Sequence, residues 1–325
     1  MRVLVTGGAG YVGTVLSTRL ATSGHDVVVF DRFIFGNELP RLPNLISVAG
    51  DVRDRPLLRA AMAGADAVVH LAFLSNDPQY CLPEAIARDV NVDGTRTVRD
   101  LAIKAGVARL IFMSSCSVYG KGRLRDARHC LIPEPLTAYA SHKLDCEQIL
   151  LGQTGGPHTL CIRAATVCGV SPRQRFDLLL NRMAAMAVMR GRIEVTGGAR
   201  IRPYLPLNDL CKLIERWLGQ SSPDRGWINA ARGGADTVSE TARKIAEWTG
   251  AQVVERDVTD AADGRSYLVP EDDLHRMLGS GCGDTLRDAV HSLVEGLRRG
   301  DYVDPLDAPD YNNLKLQQRY FDADA

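Results

Sequence analysis

Tyr139 and Lys143 stand four residues apart in YASHK (139–143), inside a run from Thr137 to Leu151 that reads as a helix, so both side chains leave one helix face. An ammonium beside a phenol stabilises the phenolate and draws the tyrosine pKa down from about 10, which suits a group that takes and returns a proton near neutrality. By itself such a pair also describes an ordinary amphipathic face. A second set of reactive groups lies upstream in MSSCSVYG (113–120), where Ser114, Ser115 and Ser117 follow a short apolar run. Serines at a strand end either bond their own backbone or face a substrate, and what surrounds them decides which.

The elements that must position these residues read as a strand–helix alternation. RVLVT (2–6) is followed by GGAGYVG, a helical pattern through TVLSTRLATSG, and DVVVFD (26–31). Further apolar runs recur at LISVAG (45–50), AVVHLA (67–72), RLIFMSS (109–115) and HTLCIRA (158–164), most separated by helix-length segments. Continuous rather than alternating apolar strands joined by helices predict a parallel sheet covered on both faces. The fold class is therefore α/β, a doubly wound parallel sheet of the Rossmann type, with a smaller C-terminal lobe.

Between the first strand and helix, Gly7, Gly10 and Gly13 make a GxxGxxG turn, and Gly8 completes GxGxxG as well. Such glycines permit a tight turn, close approach of backbone to a pyrophosphate and close helix–strand packing, while the helix N-terminus offers free N–H groups. Asp31 ends the next strand, where a ribose-binding carboxylate belongs, and would repel a 2′-phosphate; this favours NAD over NADP. Arg32, next to it, is the one residue that pulls the other way.

Composition narrows the partners. The 39 basic and 39 acidic side chains cancel, so no global field draws the chain to nucleic acid or to an anionic membrane. Eight cysteines (Cys81, Cys116, Cys130, Cys146, Cys161, Cys168, Cys211, Cys282) are scattered without CxxC pairs or a nearby His cluster at zinc spacing, so neither a metal site nor a disulfide framework is expected. A reducing cytoplasm is the simplest compartment. MRVLVTGG is already strand and turn rather than a leader, and no run of about 18 apolar residues occurs.

Taken together, TGGAGYVG, Asp31, GDVRD (50–54), VVHLA (68–72), NVDGT (91–95), SSCSVYG (114–120), YASHK and RPYLPLNDL (202–210) resemble the extended short-chain dehydrogenase/reductase family, in its nucleotide-sugar epimerase and dehydratase branch. The resemblance covers nearly the whole chain. It implies that Gly7, Gly10, Tyr11, Val12 and Gly13 form the cofactor loop, that Asp31 and Arg32 meet the adenosine ribose, that Asp51 and Val52 border the adenine, that Leu71 and Ala72 line the cofactor cleft, and that Asn91 and Ser114 support the cofactor side. Tyr139 becomes the general base or acid, Lys143 holds the nicotinamide ribose, and Ser115 bonds the reacting sugar oxygen. Ser117 and Thr166 are implied substrate contacts, as are Arg202 and Arg265 for a diphosphate, with Arg175 a third. A homodimer is implied at family level only.

Within that resemblance, dehydratase-like relatives carry an acidic pair after the catalytic hydroxyl, and decarboxylase-like relatives carry a Glu at the second position. Here those positions are Cys116 and Ser117. Neither replaces a carboxylate acid–base near pH 7 without special activation, so elimination is disfavoured. What remains needs only Tyr, Lys, Ser and NAD: oxidation of a sugar carbinol to a keto-sugar, retention of NADH, and return of the hydride to the other face, which is C4 epimerisation of a nucleoside-diphosphate sugar. An NAD(P)H-dependent keto-sugar reductase is the alternative, with a steroid-like alcohol dehydrogenase or a non-catalytic NAD sensor behind it. Cys116 reads as a small buried residue.

The expected division is residues 1–165, with about 207–230, as the cofactor-binding core, and 166–206 with 231–325 as the substrate lobe. Residues 173–191 read as one helix rich in Leu, Met and Ala, and most of the eight arginines between 163 and 202 as solvated surface charges. Ala164, Ala165 and Pro206 replace larger family residues and would widen the sugar pocket.

Overall fold

In the computed structural model, residues 1–75, 83–120, 132–221, 223, 225–232, 236–256, 265–279 and 283–317 are described. Cys81, Cys130 and Cys282 and the last eight positions lie outside them. The chain opens β1 (Arg2–Thr6), α1 (Tyr11–Thr22), β2 (Asp26–Asp31), β3 (Leu45–Ala49), α2 (Arg55–Met62) and β4 (Ala67–His70). A helix then runs from α3 (Glu84–Arg88) through a π-helical turn at Asp89–Asp93 into α4 (Gly94–Lys104). It leads to β5 (Arg109–Ser115), a 3-10 turn at Cys116–Tyr119, α5 (Ala138–Leu151) and β6 (His158–Ala164).

These strands, with β10 (Gly226–Ala230), form a seven-stranded parallel sheet in the order β10-β6-β5-β4-β1-β2-β3. The chain winds outward from β1 to β3, then crosses to β4 on the other side of β1. That reversal opens a crevice beyond the carboxyl ends of β1 and β4. Both faces of the sheet are apolar, as continuous strand runs require: Val3, Val5, Val27, Val29 and Val69 enter one core, while Leu4, Val28, Phe30, Val68 and Phe112 enter the other. Each such fully buried side chain contributes roughly 1.5–3 kcal/mol. The edge strand β3 departs from the pattern, since Ile46 is exposed.

The second half continues through β7 (Thr166–Cys168), α6 (Leu179–Arg190), β8 (Arg192–Thr196), β9 (Tyr204–Pro206), α7 (Leu207–Leu218), β10 (Gly226–Ala230), α8 (Val238–Thr249), β11 (Gln252–Arg256), α9 (Asp272–Leu278) and α10 (Leu286–Arg299). A separate core joins Phe176, Leu180, Met183, Ile193, Tyr204, Val238, Ile245, Leu293 and Leu297, so Met183 and Met186 of α6 are packing residues, while Met189 is exposed. Residues 265–278 do not join it: Tyr267, Val269, Leu274 and Leu278 pack with α7 in the sheet's own core, so the C-terminal part divides between both bodies.

The helix expected from residue 173 begins only at Leu179. Pro172 and a web of local side-chain bonds hold 169–178 as a loop: Gln174 accepts from the Ser171 N–H at 2.8 Å, and the Arg175 guanidinium grips Asp177 at 2.9 and 2.8 Å. Of the arginines expected on the surface, Arg163 and Arg173 are buried instead; Arg175 and Arg202, set apart as phosphate contacts, are buried as well. Among the described residues no helix is long and apolar enough to cross a membrane.

Candidate active site

The Tyr139–Lys143 pair is set by the start of α5. Thr137, in extended conformation, caps the helix by accepting the Ala140 N–H at 3.2 Å, which fixes where the first turn begins. Tyr139 is then half-buried and Lys143, one turn later, is buried. The Lys143 Nζ donates to the Met113 carbonyl at 2.6 Å and sits 5.7 Å from the centre of the Tyr139 ring and 3.4 Å from that of Phe73. Phe73 meets the Tyr139 ring edge-on at 5.7 Å. Burial draws the Lys143 pKa down to about 7.

The hydroxyls of MSSCSVYG separate into two roles. Along β5 alternate side chains face opposite sides. Ser114 donates to Glu147, whose carboxylate is held by the buried Arg163 guanidinium at 2.6 to 3.1 Å. Its hydroxyl thus belongs to a structural network, although the residue borders the cleft. The Ser115 Oγ accepts from the Ser117 N–H at 3.1 Å and the Ser117 hydroxyl at 2.9 Å, which leaves its own proton to donate. Cys116 is fully buried, its thiol donating to the Arg163 carbonyl at 3.0 Å, and burial pushes its pKa far up.

The glycine loop has the shape a dinucleotide diphosphate needs. Gly7 has φ +71, and a Cβ there would meet the Ala72 N at 2.5 Å; a Cβ on Gly13 would run into the Gly7 carbonyl oxygen and Gly8 Cα. Gly10, by contrast, faces open space apart from the Gly7 carbonyl oxygen at 3.3 Å. It is the N-cap of α1 and supplies no side-chain bond, so the first N–H groups of that helix remain for an anion. Asp31 accepts from the Ala9 N–H at 3.0 Å and the Phe33 N–H at 2.8 Å, anchoring both loops at the crevice; burial raises its pKa against those bonds. Arg32 reaches across to Asp51 at 3.2 Å.

One cleft of about 300 Å³ unites these parts. Its wall includes Gly7, Gly10, Tyr11, Val12, Gly13, Asp31, Arg32, Asp51, Val52, Leu71 and Ala72, then Ser114, Ser115, Ser117, Tyr139 and Lys143, and from the second half Thr166, Arg175 and Arg265. Two expected residues stand behind it. Asn91 accepts the Leu74 N–H at 2.8 Å and so fixes the Leu71–Leu74 stretch, and Arg202 donates to the Arg265 carbonyl rather than facing the cleft. Sequence reading overlooked Phe35, Phe73, Arg173, Asn313 and Gln317, which also border it. The last two come from the C-terminal segment, 136 residues beyond Asp177, to whose carboxylate the Asn313 N–H donates.

Three comparisons bear on this site. The chain is 33% identical over 210 residues to a 3-beta-hydroxysteroid dehydrogenase from Mycolicibacterium neoaurum, covering 61% of this chain and 55% of that protein, so the chain spans about half the length of that relative. It is 27% identical over 278 residues to a UDP-glucose 4-epimerase from Azospirillum brasilense, covering 78% of each. The fold superposes on MoeE5 in complex with UDP-glucuronic acid and NAD with a TM-score of 0.80 at 28% identity, over 92% of this chain and 100% of that one. The family pattern itself accounts for residues 3–231, from β1 through β10 and across every element that builds the glycine loop and the Ser115–Tyr139–Lys143 corner. The chain therefore belongs to the NAD dependent epimerase/dehydratase family, and its cofactor is NAD.

Proposed function

We propose that this protein epimerises a nucleoside-diphosphate sugar at C4. The observation that carries the reading is the make-up of the cleft wall. Ser115, Tyr139 and Lys143 meet there, while the carboxylates among its described residues, Asp31 and Asp51, both lie at the far end beside Arg32. Elimination of water from a sugar requires a carboxylate acid–base at the reacting ring. Oxidation and re-reduction of one carbinol require a single proton-transfer group.

NAD, when bound, would supply the hydride acceptor and donor. The loop Gly7–Gly13 and the α1 N-terminus would hold its diphosphate, Asp31 its ribose, and Lys143 and Tyr139 would border its reactive end. Tyr139 takes the carbinol proton as the C–H bond breaks and gives it back when that bond re-forms on the other face, so the proton balance closes over the cycle. Ser115, already accepting twice from Ser117, donates its free hydroxyl proton to the same sugar oxygen. Lys143, with no carboxylate bonded to it among the described partners, lies 5.7 Å from the centre of the Tyr139 ring, where its ammonium stabilises a developing phenolate.

Arg175 and Arg265 on the substrate side suit a diphosphate, and similarity to proteins named for UDP-sugars points the same way. The 33% identity to a steroid dehydrogenase supports a second reading, oxidation of an uncharged alcohol, for which these guanidinium groups have no use. A homodimer in the cytoplasm goes with the sugar reading as a family-level proposal.

The test is to denature purified protein and assay released nucleotide, then to incubate fresh protein with UDP-, GDP-, CDP- and dTDP-sugars without added cofactor. Co-purified NAD and conversion of one sugar into its C4 epimer are expected, and Tyr139→Phe should slow that conversion roughly 10²–10⁴-fold. Turnover only of a keto-sugar with stoichiometric NADH or NADPH, or only of a sterol, overturns the proposal.

A further inference from the structure

Arg173 is 4% exposed, yet its Nε, Nη1 and Nη2 have no hydrogen-bond partner among the described residues. A buried guanidinium without acceptors is costly, and five N–H groups in a planar fork call for an oxyanion. Three carboxylates act on it through space, Asp177, Asp31 and Asp310, and none bonds it: Asp31 is engaged by the Ala9 and Phe33 N–H groups and Asp177 by Arg175 and the Asn313 N–H. Burial, ahead of the neighbouring Arg175, lowers the Arg173 pKa to about 9.

Its position selects the oxyanion. The guanidinium carbon lies 4.2 Å from the centre of the Phe35 ring, just beyond β2, so the planar group is seated on an aromatic face with its edges left to donate. The loop that carries it is fastened to the first turn of α1. Tyr11 donates its hydroxyl to the Gly169 carbonyl at 2.8 Å, and the Ser171 hydroxyl donates to the Tyr11 carbonyl at 2.8 Å. Arg173 therefore borders the cleft between the uncapped α1 N-terminus and Asp31, on the substrate-lobe side.

We infer that Arg173 binds the NAD diphosphate from the side opposite the glycine loop, so that the 169–177 loop clasps the cofactor. This rests on NAD as the cofactor and not on the identity of the substrate. A sugar nucleotide offers the same chemistry, but Phe35 and Asp31 lie at the cofactor's adenosine end.

The test titrates NAD, NADP, ADP, adenosine and UDP against nucleotide-stripped wild-type protein, Arg173→Met and Arg173→Lys, and records the melting temperature of each apo protein. The expected result is at least a tenfold loss of NAD and ADP affinity in Arg173→Met, partial recovery in Arg173→Lys, unchanged adenosine and UDP binding, and an apo melting temperature that does not fall. Bound NAD should also leave Arg173→Met faster in a competitor chase. Unchanged NAD and ADP affinity overturns the inference, as does a loss confined to UDP or to NADP, or an equal loss for every ligand with a lowered apo melting temperature. These readouts need no sugar turnover, so a failed epimerase assay leaves them standing.

Discussion

The Lys143 ammonium lies 3.4 Å from the centre of the Phe73 ring and bonds the Met113 carbonyl at 2.6 Å; among the described residues no carboxylate bonds it, and the nearby Glu147 is held by Arg163. A ring face stabilises a cation less than a carboxylate does, and burial wins, drawing the pKa from 10.5 to about 7. Between those two values the unfolded chain holds a proton that the folded chain has lost. Stability of the cofactor-free protein therefore rises with pH from about 7 towards 10, at about 1.4 kcal/mol per unit from this group. Below pH 7 both states are protonated and the slope vanishes. Denaturant unfolding at pH 7 and pH 9 should show wild type gaining roughly 2 kcal/mol relative to Lys143→Met; parallel curves would refute the assignment.

Glu147 lies two turns after Tyr139 and one after Lys143 on α5, and its pair with Arg163, each side chain 4% exposed, locks the rotation of that helix against β5 and β6. Ser114 and the Tyr119 hydroxyl complete the network. Breaking one partner leaves a buried charge, so Glu147→Leu should cost about 3–5 kcal/mol. Glu147→Leu combined with Arg163→Met should recover a large part of that loss. Additive losses in the double variant would show that the ion pair is not what the site relies on.

Gly10 and Gly13 make opposite demands. A Cβ at Gly10 meets only the Gly7 carbonyl oxygen, at 3.3 Å, so Gly10→Ala should melt within a few degrees of wild type yet lose NAD affinity at least tenfold, because the methyl projects where phosphate must approach. A Cβ at Gly13 collides with backbone, so Gly13→Ala should lose stability as well. Equal NAD affinity in Gly10→Ala and wild type would remove the diphosphate from this loop.

Cys116 has its thiol bonded to a main-chain carbonyl and its pKa pushed far above neutrality by burial. Cys116→Ala should keep turnover within about threefold, with an unchanged pH–rate profile, since no thiolate is available to shuttle protons. A loss of two orders of magnitude, with intact folding, would restore the cysteine to the chemistry.

Much of the site is legible in short segments. Strands β1, β2, β5 and β6 match their apolar runs residue for residue, because a strand buried on both faces leaves little choice of composition. Ser115 and Ser114 are already distinguished by the resemblance, but what holds Ser114 is decided by register with β6 and α5, which turns its hydroxyl toward Glu147. Arg173 looked like one surface charge among eight arginines, because burial of a polar residue has no local signal when the loop around it is folded by distant contacts.

Residue type and spacing therefore settled the α/β class and the form of the glycine loop, and marked Asp31 and the Tyr139–Lys143 pair as candidates, since each follows from the period of a helix or strand and from what a tight turn can accommodate. Fold alone decided which arginines enter the cleft, that Arg202 and Asn91 stand behind it, and that Asn313 and Gln317 arrive from the far end of the chain. Those placements depend on long-range packing, in which the position of a side chain is set by elements more than a hundred residues away rather than by its neighbours in sequence.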